Sequence, residues 1–122
     1  MGAVAERWNA DPPHSGVRLH HIPDYYTEDL WSFEQLKELG VRQEPDVQSA
    51  SRAGIDDDYH YDAIMATVDP GTIRVRERRD AGLFSINGVS LDPLDETIAN
   101  GQALVARRAE ITVEAFRKSL AR

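Results

Sequence analysis

Leu83-Phe84-Ser85-Ile86-Asn87-Gly88-Val89-Ser90-Leu91, running straight into Asp92-Pro93-Leu94-Asp95-Glu96, is the stretch from which the fold is read. Asn87-Gly88 between short apolar and β-branched runs predicts a β-hairpin, because both central residues of a type I′ turn need φ > 0. Asp92 then reads as a helix N-cap and Pro93 as the first helical residue, its φ already set. Asp95 and Glu96 follow as carboxylates favoured by the helix dipole. Strand, turn, strand and helix start thus lie within fourteen residues.

Upstream of the hairpin, Tyr59 to Val68 alternates, with Tyr59, Tyr61, Ala63 and Met65 on one side and His60, Asp62, Ile64, Ala66 and Val68 on the other. Asp69-Pro70-Gly71 turns this predicted strand into a second one over Thr72 to Arg78. There Ile73 and Val75 alternate with Arg74, Arg76 and Arg78, which gives one uniformly basic face. With the hairpin, this predicts an antiparallel meander of about four strands over residues 59–91. A helix over 27–39 covers it, opened by Thr27 and stopped by Gly40, with Leu30, Phe33, Leu36 and Leu39 as its apolar face. C-terminal helices are predicted over 93–109 and 113–121. The expected class is α+β, in a single domain spanning 1–122.

Two stretches stand apart. Residues 1–23 carry turn and polyproline signals, Asp11-Pro12-Pro13 and Ile22-Pro23, and predict an extended arm whose Trp8, Val17, Leu19 and Ile22 are spaced to touch a neighbouring surface. Residues 41–58 are polar and aperiodic and predict a long loop, a kind of segment often used for binding.

Composition narrows the chemistry. The 122 residues contain no cysteine, which excludes disulfides, zinc-thiolate sites and thiol nucleophiles. The N-terminus lacks a basic start followed by an apolar run, and no stretch reaches bilayer length, so a cytoplasmic protein with no membrane partner is expected. The net charge of −7 is unevenly spread, with +3 over residues 102–122 and −10 over residues 1–101. Asp56, Asp58, His60 and Asp62 recur every second residue, but a calcium-binding loop starting at Asp56 would need glycine at Tyr61 and glutamate at Thr67. His20 and His21 would point opposite ways on an extended arm. No nucleophile elbow, phosphate loop or dinucleotide fingerprint is present, so no catalytic residue, metal ligand or cofactor is assigned, and the chain reads as leaning away from an enzyme.

Gln102 to Leu120 includes Val105-Ala106, Ile111-Thr112 and Ala115-Phe116. This stretch resembles the helix-turn-helix motif of bacterial and phage repressors. The resemblance implies Val105-Ala106 as the packed pair of the first helix, Thr112 as the cap of the recognition helix and Ala115-Phe116 as its core contacts. It places Thr112, Val113, Glu114 and Arg117 near bases and Arg108, Lys118 and Arg122 near the DNA backbone. Glu110 stands where that motif usually has glycine. The other reading of the same residues is a long helix from Pro93 to Ala109 followed by a short one packing Ile111, Phe116 and Leu120 into the core.

Two functions follow as expectations. The first is a non-enzymatic assembly or adaptor protein in a homo- or hetero-oligomer, such as a virion component or the small subunit of a complex. Its contact residues would be Trp8, Val17, Leu19, Ile22, Arg74, Arg76 and Arg78. The alternative is a DNA-binding regulator using Thr112, Val113, Glu114, Arg117 and Lys118.

Overall fold

The structure is a computed structural model and describes residues 1–11, 16–22, 31–42 and 58–121, the side chain of Trp31 aside. The Thr27 cap, residues 43–57 of the long loop, and Arg122 lie outside the described residues. The elements are α1 (Gly2–Ala10), α2 (Trp31–Glu38), α3 (Tyr59–Val68), a 3-10 turn (Pro70–Ile73), α4 (Val75–Asp80), β1 (Ser85–Ile86), β2 (Val89–Ser90) and α5 (Leu94–Leu120). The chain divides into two compact units, Leu30–Arg107 and Met1–Asp29 with Arg108–Arg122. Among the described residues no helix is long and apolar enough to cross a membrane.

The four-stranded meander is not formed. The only described sheet is the two-stranded hairpin, and the chain is mostly helical. Residues 59–68 are a helix because Tyr59, Ala63 and Ala66, all buried, recur at i, i+4 and i+7, a helical face that the two-residue alternation masked. The predicted second strand divides. The Asp69 carboxylate accepts from Gly71 N–H at 2.8 Å and the Thr72 hydroxyl donates to the Asp69 carbonyl at 2.7 Å, closing a 3-10 turn. Arg74, at φ 53°, then re-aims the chain into α4, whose Arg76, Glu77, Arg78 and Arg79 are good helix formers.

Local punctuation works as read elsewhere. Gly40 at φ 81° ends α2, with Val41 N–H donating to Leu36 carbonyl at 2.8 Å and Gly40 N–H to Lys37 carbonyl at 3.1 Å. Gly82 at φ 69° ends α4 in the same manner, through Leu83 to Arg78 at 2.8 Å and Gly82 to Arg79 at 3.0 Å. Asn87 and Gly88 take φ of 49° and 77°, and the hairpin pairs Ser85 with Ser90 and Ile86 with Val89. The Asp92 carboxylate accepts from the Arg79 guanidinium, and α5 runs from Leu94 with Pro93 supplying its first carbonyl, one residue later than predicted.

In the Leu30–Arg107 unit the core consists of Leu36, Tyr59, Ala63, Ala66, Ile73, Ile86, Leu91 and Leu104. Around it pack Val41, Ile64, Val75, Phe84, Val89, Leu94 and Ile98. Gly101 is buried where α5 meets α3; a Cβ there would lie 2.0 Å from the Ala63 carbonyl oxygen. Glycine is therefore required for the two helices to approach so closely. Arg78 pairs with the nearly buried Asp62 at 2.8 Å, and Arg79 lies 4.6 Å above the Phe84 ring.

In the other unit, residues 2–10 of the predicted arm are helical, while 16–22 form neither helix nor strand. The Asn9 side chain clasps the backbone of Leu19, donating to its carbonyl at 2.9 Å and accepting from its N–H at 2.8 Å. His20 meets Phe116 edge-on, with ring centres 6.0 Å apart.

Candidate interaction surface

α5 continues without a break from Leu94 to Leu120, which corrects the predicted separation into helices 93–109 and 113–121. No glycine or proline occurs after Gly101, and Glu110, at the expected turn, favours helix. Thr112 does not cap a new helix; its hydroxyl donates to the Arg108 carbonyl one turn back at 2.8 Å, a bond made in mid-helix. Glu114 and Lys118 pair at 2.7 Å across one turn. Thr112, Val113, Glu114, Arg117 and Lys118 are all exposed, but on one uninterrupted helix they lack the swung-out second helix that the repressor motif requires.

The basic row of Arg74, Arg76 and Arg78 is also redistributed. In α4 and its N-cap a spacing of two residues rotates successive side chains by about 200°, which sets Arg76 opposite Arg74 and Arg78, so the three do not form one face. Arg74 and Arg76 are exposed, whereas Arg78 is half-buried against Asp62.

The unit formed by Met1–Asp29 and Arg108–Arg122 presents the apolar surface. None of its described residues is buried. Nevertheless it carries Val4, Trp8, Val17, Leu19, Val113, Phe116 and Leu120, each 38–64% exposed. On α5 the apolar residues follow helical spacing, with Ala109, Val113, Phe116 and Leu120 at i, i+4, i+7 and i+11. Large side chains at this density, with no buried residue among those described in the unit, form an exposed apolar patch. Burying the exposed part of each contributes about 1 kcal/mol. Trp8, Val17 and Leu19 belong to this surface, and Ile22 is half-buried. Val4, Phe116 and Leu120 were not among the predicted contacts and Val113 was predicted only as a DNA contact, although the 113–116–120 spacing was readable as a stripe once the helix is taken as continuous.

The Leu30–Arg107 unit carries a second feature, a polar cavity of about 260 Å³ beside the hairpin. On its wall, Asn100 donates through Nδ2 to the Tyr59 hydroxyl at 3.1 Å and Tyr59 donates to Thr97 Oγ1 at 3.2 Å. Thr97 in turn donates to the Leu91 carbonyl at 3.0 Å, so the three side chains form one directed chain of hydrogen bonds. Tyr59 and Thr97 are 2% exposed and Asn100 is 9% exposed. Glu96 and Arg42 also line the cavity. Asp58 and Asp62, once in the possible metal row, are engaged elsewhere, with Asn87 donating to Asp58 at 2.6 Å and Arg78 paired with Asp62. Among the described residues no three metal-binding side chains converge.

No family model, no curated protein and no solved structure matches this chain.

Proposed function

We propose that the protein is a non-enzymatic assembly component whose Met1–Asp29 and Arg108–Arg122 surface docks onto a second copy of the chain. The observation that carries this reading is the set of large apolar side chains in a unit with no buried residue among those described. A second copy is the occupant favoured by charge. The Arg108–Arg122 end of α5, at +2, finds a complementary surface in the Leu30–Arg107 unit of another copy, at −6. Such a contact joins two different patches and so builds rings or open strings of subunits, as in a virion component or a repeated subunit of a cytoplasmic complex. The regulator reading has lost its geometric support, since α5 has no turn.

Sedimentation velocity over a range of protein concentrations tests the proposal, comparing the wild type with Phe116→Asp. The wild type should form species heavier than 13.7 kDa that grow with concentration. Phe116→Asp, a change at a half-exposed position, should remain a folded monomer by circular dichroism. A wild type that stays at monomer mass throughout overturns self-assembly. Retained assembly in Phe116→Asp overturns the assignment of the surface.

A further inference from the structure

The cavity beside the hairpin is independent of the docking surface, and its chemistry is specific. Asn100 is nine-tenths buried, and among the described residues only its amide nitrogen has a hydrogen-bond partner. Its amide oxygen is not sealed from solvent, so a ligand in the cavity can reach and satisfy it. Glu96 lies four residues before Asn100 on α5, so the two share a face one turn apart, and both line the cavity. The Glu96 carboxylate makes no ion pair among the described residues. Together they offer two oxygen acceptors, one anionic, to a single cationic N–H group. Arg42, from the segment after α2, lines the same cavity with a guanidinium that has no ion-pair partner among the described residues. It offers the forked donor geometry that suits a carboxylate.

From this arrangement we infer that the cavity binds a free α-amino acid, its ammonium on Glu96 and Asn100 and its carboxylate on Arg42. The volume of about 260 Å³ holds a small or medium-sized amino acid. The Asn100–Tyr59–Thr97 hydrogen bonds hold the Asn100 amide with its nitrogen turned toward Tyr59, which leaves the oxygen for the ligand. A ligand bearing only an amine would lose the Arg42 contact, and one bearing only a carboxylate would meet Glu96 unfavourably.

The test is an amide-resonance titration of the full-length protein with each common amino acid in turn, beside the corresponding amino-acid amides and N-acetyl amino acids. At least one amino acid should give saturable shifts confined to residues lining the cavity. Its amide and its N-acetyl derivative should bind about tenfold more weakly or not at all, as expected for losing one charge-assisted contact. Arg42→Gln and Glu96→Gln, both at exposed positions, should each weaken binding to a similar degree while leaving the remaining spectrum in place. The absence of saturable shifts with every amino acid overturns the inference. So do equal affinities for the acid and its amide, or binding unchanged in both variants.

Discussion

At the scale of single residues, the backbone makes demands that only certain side chains meet. Gly101 is the sharpest case. Helix propensity alone makes glycine there a cost of about 1 kcal/mol relative to alanine. The Ala63 carbonyl oxygen lies 2.0 Å from where a Cβ would sit, which reverses the preference. Gly101→Ala should therefore destabilise by about 2 kcal/mol or more in denaturant unfolding, because both clashing groups are helix backbone. A stabilised Gly101→Ala would mean that α3 and α5 do not meet there. Asn87 combines a left-handed φ of 49° with a hydrogen bond to the nearly buried Asp58 at 2.6 Å. Asn87→Ala loses both and should cost about 1–2 kcal/mol in the same assay, whereas Asn87→Gly should restore the turn but not the bond. The positive φ of Asn87, Gly88 and Gly40 was legible in the sequence because the chemistry is local. The role of Gly101 was not, since the atom that requires it lies 38 residues away.

At the scale of elements, the sequence misled wherever two periods fitted the same short segment. Tyr59 to Val68 alternates well enough for a strand, yet its alanines at 63 and 66 are the contacts of a helix that packs tightly. Arg74, Arg76 and Arg78 formed a basic face only under strand geometry. The hairpin, by contrast, has one reading, and it formed in the expected register. The two ends of α5 were likewise assigned to helix, but the break between them was placed at a position with no residue to make it. Glu110→Gly separates the two geometries. In a continuous α5 it should lower stability by about 1 kcal/mol, whereas at a helix-turn-helix turn glycine would be neutral or favourable. A thermal melt of that variant beside the wild type reads the sign directly.

For the whole molecule, one unit has a core and the other, among its described residues, has none. Leu30–Arg107 buries eight hydrophobic side chains together with a hydrogen-bonded Asn100–Tyr59–Thr97 chain. The Met1–Asp29 and Arg108–Arg122 unit holds its shape by polar clasps such as Asn9 on Leu19, and leaves its large apolar residues outward. Part of this contrast was legible. The apolar residues of the arm stood out for want of a period, whereas Phe116 read as core because the sequence alone does not reveal that it stays half-exposed. The polar cavity left no local pattern, since Tyr59 and Asn100 lie 41 residues apart. If the basic C-terminal stretch meets an acidic surface of another copy, raising the salt from low to about 1 M, where the Debye length shrinks to about 3 Å, should weaken assembly. Assembly that strengthens with salt would point to an interface held by apolar burial alone.

The most direct test of the docking surface uses the absence of cysteine from the chain. Val113→Cys introduces a single thiol at the middle of the α5 stripe, and its rate of reaction with a water-soluble maleimide reports whether that position is covered. The rate should fall by about tenfold or more as protein concentration rises through the assembly range, while a control thiol at the exposed Gln102, outside the stripe, keeps its rate. A Val113→Cys thiol that reacts equally fast at every concentration, in a protein whose mass shows it to be assembled, would contradict the account by placing the interface elsewhere.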